Sequence, residues 1–214
     1  GAVYVEQQRN DDAMRQMQAA LTLRDHYVAH TNIGTLHERA GKRQLAYEEF
    51  RKAMVLEPKA AMPHYGIALL YARDGKIDDA VAAYRKAIEL DPTYVGSYNN
   101  LGILELQRGD LVAARSVFED AAAADPLFAD AHYHIGLIDI EEKKPLDAIV
   151  RFERAVKLEP NKAVDALNKL AVLYLEQMRV DDAIDAVEQV LELDPTNEDA
   201  LFLQASMRKH GVLN

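Results

Sequence analysis

Seven histidines and several adjacent carboxylates are the side chains best equipped here for proton transfer or metal binding. His132 and His134 stand two residues apart and His30 and His37 seven apart. Neither interval is the i, i+4 spacing that sets two imidazoles over one cation on a helix face. Asp78-Asp79 and Asp181-Asp182 invite an acid–base reading, but neighbours on a helix point in different directions and do not share a substrate. Both pairs open helical patterns, where carboxylates cap free amides and favour the positive end of the dipole. There is no glycine-rich phosphate loop, no Gly-x-Ser-x-Gly elbow and no nucleophile with a paired base. The absence of cysteine removes disulfides, thiolate nucleophiles and thiolate zinc sites. No catalytic residue, metal ligand or cofactor is expected, and an enzyme is not the expected reading.

The elements carrying these residues are set by a period. Pro58, Pro92, Pro126, Pro160 and Pro195 are spaced by 34, 34, 34 and 35 residues, and a fixed interval of this size marks stacked repeats. Five residues before the prolines stand Ala53, Ala87, Ala121, Ala155 and Val190, and three before those Phe50, Tyr84, Phe118, Phe152 and Val187. Four earlier again come Ala46, Ala80, Ala114, Ala148 and Ala183. Further upstream lie the pairs Ile33-Gly34, Ile67-Ala68, Leu101-Gly102, Ile135-Gly136 and Leu170-Ala171. Each unit holds two segments with apolar residues near i, i+3, i+4 and i+7, the mark of amphipathic helices. Gly41-Lys42, Gly75-Lys76 and Gly109-Asp110 separate them. Such a unit cannot bury its own apolar face, so neighbours must stack.

The pattern resembles the tetratricopeptide repeat, a helix–turn–helix unit of this length, over nearly the whole chain. The resemblance implies an all-α right-handed superhelix of about five full repeats: 27–60, 61–94, 95–128, 129–163 and 164–197. A partial repeat is expected over 1–26 and a capping helix over 198–214, ending near Gly211. One extra residue near 161–164 is expected to be absorbed in a loop. His30, His64 and His132 fall where this repeat carries a large packing side chain, so they read as packing imidazoles.

In this family the first helices line a concave groove. Just before the Ile/Leu pairs stand Asn32, Gly66, Asn100, His134 and Lys169; one residue earlier stand Thr31, Tyr65, Asn99, Tyr133 and Asn168. Asparagine at the first of these places is similar to the asparagine ladder in the repeat region of O-linked N-acetylglucosamine transferase, where side-chain amides pair with peptide backbone. Asn32 and Asn100 match it, and Gly66 interrupts it. A carboxylate clamp for chaperone tails would need lysine where Thr31, Tyr65 and Asn99 stand. Two apolar rows follow: Thr35, Leu69, Ile103, Leu137, Val172 and Glu38, Ala72, Leu106, Ile140, Leu175. They fit either an apolar groove or burial between adjacent first helices.

The next row runs Arg39, Arg73, Gln107, Glu141, Glu176, and Asp130, Asp165 and Asp199 add acid at the helix starts. Residues 1–60 carry nine Lys/Arg and eight Asp/Glu, net +1; residues 61–214 carry sixteen and twenty-seven, net −11. A ligand with basic residues toward the later repeats is expected. A net charge of −10 without a basic stripe disfavours nucleic acid, and no apolar run is long enough to cross a membrane.

The expected function is a non-catalytic scaffold binding a peptide segment or helix of a partner protein. Its groove residues would be Asn32, Tyr65, Leu69, Asn99, Asn100, Ile103, Tyr133, His134, Leu137 and Asn168. Two alternatives stay open: a self-assembling scaffold of the kind that coats organelles, and the targeting module of a larger enzyme such as a glycosyltransferase. The chain starts at Gly1 inside an incomplete repeat and reads as a segment of a longer protein.

Overall fold

In the computed structural model, residues 26–209 and positions 12, 14–17 and 19 are described, and every regular element among them is helical. The expected partial repeat therefore lies outside the described residues, apart from those six helical positions and His26, and so does Gly211. The chain divides into two compact units, Gly1–Gly109 and Asp110–Asn214.

The first unit contains α1 (Tyr27–Arg39), α2 (Arg43–Leu56), α3 (Ala61–Arg73), α4 (Ile77–Leu90) and α5 (Val95–Gln107). Within this unit α1 packs on α2, α2 on α3, α3 on α4 and α4 on α5, and α1 also touches α3. The small residues and rings of the sequence pattern explain why. Ala46 and Ala80 are fully buried, so helix backbones approach closely, and the ring of Phe50 fills the space between α1, α2 and α3. A β-carbon on Gly34 would lie 2.8 Å from that ring, and one on Gly66 2.4 Å. Gly66 thus interrupts the asparagine row because Phe50 occupies the place of its side chain.

The second unit contains α6 (Leu111–Ala124), α7 (Ala129–Glu141), α8 (Pro145–Leu158), α9 (Val164–Glu176), α10 (Val180–Leu193) and α11 (Glu198–Lys209). Its core joins Ala148, Phe152, Leu170, Ala171, Val187 and Val190, with Tyr133, Leu137, Ile140 and Leu175 packed partly buried against it. The apolar rows are accordingly half-buried in both units, except that Glu38 is buried and Val172 exposed.

Local chemistry sets the turns. Between the helices of a pair, the chain passes through positive φ at Gly41, Gly75 and Gly109, and equally at Lys143 and Met178 (φ 60°). The same closing bond recurs: the amide of Lys42 donates to the His37 carbonyl at 2.8 Å, Lys76 to Tyr71 at 2.9 Å, Lys144 to Asp139 and Arg179 to Tyr174, both at 2.8 Å. This is the left-handed C-terminal cap for which glycine is the unstrained residue. After α4, α6 and α10, Asp91, Asp125 and Asp194 accept the amides of Thr93, Leu127 and Thr196 at 2.9–3.0 Å, bracing the turn around the intervening proline. The extra residue is taken up at a 3-10 turn, Pro160–Lys162, ahead of the helix-capping Ala163.

Candidate partner-binding surface of the first helices

The side chains singled out for chemistry are engaged in structure. His30 is buried with Nδ1 2.5 Å from Glu49 Oε2, and the His64 ring lies 3.3 Å from the Pro58 carbonyl. His132 is half-buried, and burial holds its imidazole below the ordinary value of 6.5. Asp78-Asp79 and Asp181-Asp182 occupy the first turns of α4 and α10. They do not cap those helices as the sequence implied: the N-caps are Lys76 and Arg179, with no side-chain cap bond. The aspartates stand inside the helix, where the dipole still favours them. Asp182 accepts from Arg179 Nε at 2.6 Å.

Two buried acids escaped the sequence reading. Glu105 and Asp139 are each about 2% exposed, at the place where other repeats carry Tyr71 and Tyr174. Glu105 lies 3.1 Å from Arg85 and 3.4 Å from Arg108, and Asp139 2.7 Å from Arg115. An acid in a tyrosine column with an arginine on the preceding helix was the available signal. These are ion pairs between packed helices, and the geometry gives them a structural part.

In the first unit, Asn32 is exposed, while Tyr65, Leu69, Asn99, Asn100 and Ile103 are half-buried. Asn100 Nδ2 donates to the Tyr65 hydroxyl at 3.0 Å, so one ladder amide is already partnered within the chain. The Tyr65 ring is tilted on Tyr84 (5.8 Å) and meets Tyr94 edge-on (5.0 Å). Burial and, after it, the neighbouring Tyr94 raise the Tyr65 phenol to about 12. Arg73 of the sign-changing row pairs with Glu38.

In the second unit, Tyr133, His134, Leu137 and Asn168 are half-buried. Tyr133 packs on Phe152 (5.7 Å), and His134 stacks on Phe118 (4.6 Å, 15° between planes). Burial holds His134 below its ordinary value, hence neutral at pH 7, although Asp130 pulls it upward. Tyr133 and His134 share a cavity of about 200 Å³ with Asp130, Glu159, Ala163 and Asp165. Asn168 borders another, of about 300 Å³, with Lys169, Val172, Asp199, Phe202 and Leu203. Its Nδ2 donates to Asn197 Oδ1 at 3.2 Å. Among the described residues, Asn99 Oδ1, His134 Nδ1 and Asn168 Oδ1 are buried side-chain atoms without a hydrogen-bond partner, as are His37 Nδ1, Ser97 Oγ and His132 Nδ1. No group of three or more metal-ligating side chains and no helix long and apolar enough to cross a membrane occurs among the described residues.

Residues 71–107 match a family described as TPR repeat, and residues 99–149 and 139–207 match families described as tetratricopeptide repeat. No curated protein matches the chain in sequence. Among solved structures, PilF of Pseudomonas aeruginosa is 21% identical with a TM-score of 0.74, covering 94% of this chain and 86% of that one. YrrB, a TPR protein with an unusual peptide-binding site, is 17% identical with a TM-score of 0.66, covering 88% and 97%. MamA from Desulfovibrio magneticus RS-1 is 23% identical with a TM-score of 0.63, covering 80% and 97%. At such identities the likeness is one of fold.

Proposed function

Since this chain belongs to the tetratricopeptide repeat family, whose all-helical fold is that of a protein–protein interaction scaffold, we propose that it works without catalysis by binding an extended peptide segment of a partner on its first helices. The observation that carries this reading is those unmet polar atoms of the first helices that stand at the two expected groove positions; His37, Ser97 and His132 carry others elsewhere on the same helices. Asn99 Oδ1, His134 Nδ1 and Asn168 Oδ1 are buried without partners. Folded proteins rarely leave such groups unsatisfied, because each costs about 1–3 kcal/mol. All three belong to residues at the two adjacent first-helix positions that face a ligand in this family. In the second unit a peptide backbone offers a donor to the Asn168 amide oxygen, and the neutral His134 nitrogen takes part as donor or acceptor according to its tautomer; in the first unit Asn99 offers the same kind of acceptor. The ladder place itself contributes less, since Asn100 is already bonded to Tyr65.

Selection of a random linear peptide library on the full chain, followed by fluorescence anisotropy, tests the proposal. Asn99→Ala for peptides held by the first unit, and Asn168→Ala for those held by the second, is expected to weaken binding about fivefold, the value of one hydrogen bond. A chain that selects no peptide, or binds its peptides equally well with both asparagines removed, is not this scaffold.

A second reading, self-association, is favoured by the exposure of Phe202 (74%) on α11 beside the Asn168 cavity. It predicts a light-scattering mass above 24.0 kDa that Phe202→Asp returns to that value; a mass of one chain at every concentration rules it out.

A further inference from the structure

Corresponding seats in the two units differ in what fills them. Beside Tyr65, the residue capping the next first helix is Tyr94, whose ring meets Tyr65 edge-on at 5.0 Å. Tyr94 also lies over Gly96, where a β-carbon would come within 3.0 Å of its ring. Beside Tyr133, the residue in the same capping position is Ala163, and the place of Gly96 is taken by Asp165. Tyr133 and Tyr65 themselves pack alike, tilted at 56° and 59° on the ring of the second helix of their own repeat. So the seat that the chain fills with its own tyrosine beside Tyr65 is open beside Tyr133, as the cavity of about 200 Å³.

The lining of that cavity chooses its occupant. Tyr133 offers an aromatic wall, His134 a neutral imidazole with its Nδ1 unpartnered, and Ala129, Ala155 and Ala166 an apolar floor. Asp130 on α7 and Asp165 on α9 stand at the rim, both exposed and neither in an ion pair among the described residues. Glu159 also borders the cavity, and among the described residues of the lining there is no lysine or arginine. An aromatic face between carboxylates on two helices suits a flat cation, which stacks on the ring and reaches acids on either side. A carboxylate or phosphate would meet like charge, and an apolar side chain would leave the acids unused.

We propose that the cavity beside Tyr133 receives a basic side chain of the bound partner segment, arginine in preference to lysine, in the place that Tyr94 occupies beside Tyr65. This rests on the peptide-scaffold reading and adds to it one specificity-determining position.

The same library selection on the full chain separates the two claims. The expected result is a fixed Arg or Lys among the selected peptides, whose replacement by alanine weakens binding about tenfold, the combined effect of one cation–π contact and two rim charges. That penalty should vanish in Asp130→Asn/Asp165→Asn, two exposed substitutions that leave the core untouched, and in Ala163→Tyr, which rebuilds the seat of Tyr94. Glu188→Gln/Glu192→Gln, an equal charge change at exposed sites outside the cavity, should preserve it. Peptides that bind without a basic position, or a basic position indifferent to Asp130 and Asp165, overturn the inference and leave the scaffold reading standing. No selected peptide at all overturns both.

Discussion

Tyr65 and Tyr133 occupy the same place in their repeats and pack the same way, yet one is closed over and the other borders a cavity. In the first unit, Tyr94 covers the ring and Asn100 holds the hydroxyl. In the second, Ala163 and Asp165 replace the covering tyrosine and its glycine. A repeat protein must conserve the residues between its helices, because each unit depends on its neighbour for a core. It is free to vary those at helix starts and inner faces, and there these units diverge. Specificity is written where packing does not forbid a change.

The buried acids give the strongest way to break this comparison. Arg115→Met leaves Asp139 uncompensated in a buried place and is expected to cost about 3 kcal/mol. Arg85→Met leaves Glu105 its second partner, Arg108, and should cost about 1 kcal/mol. Urea denaturation that gives equal costs would remove the distinction. A smaller contrast lies at the interrupted asparagine row. Gly66→Asn forces a side chain into the Phe50 ring, costing about 2 kcal/mol. Lys169→Asn at the corresponding exposed place should change stability by less than about 0.5 kcal/mol.

The turns sharpen the contrast in the opposite direction. The first unit uses glycine at positive φ, whereas the second holds Lys143 and Met178 there. Lys143→Gly and Met178→Gly are each expected to stabilise the protein by up to about 1 kcal/mol, and Gly75→Ala to destabilise it by about as much. Thermal melting reads both signs. The smallest effect is titration. Burial holds His132 and His134 below 6.5 in the fold, so the unfolded chain binds more protons once pH drops toward that value. Stability should therefore decline on acidification from about 6.5, before carboxylates titrate. His134→Leu should flatten that decline; an unchanged slope would contradict the burial of a neutral ring.

Much of the helical plan was legible in the sequence because packing imposes the same residue types at the same intervals. The prolines, the alanine columns and the rings of Phe50, Tyr84, Phe118 and Phe152 all mark positions where helices must meet. What stayed hidden depends on pairs of residues distant in sequence. Gly66 reads as a gap in a ladder until Phe50 is seen filling it. Glu105 and Asp139 look like surface acids until Arg85 and Arg115 come alongside them. The positive φ of Lys143 and Met178 leaves no trace in residue type. Asp130 and Asp165 were visible as an acidic row, but the cavity they flank depends on Ala163 being small, and no periodic pattern reports an absent side chain.

The central claim is that a partner segment lies along the first helices. Amide chemical-shift mapping of the full chain with a library-selected peptide tests it most directly. The account predicts shifts concentrated on α7 and α9 of the second unit, around Tyr133, His134 and Asn168. Shifts confined to the second helices, with these residues unmoved, would contradict it.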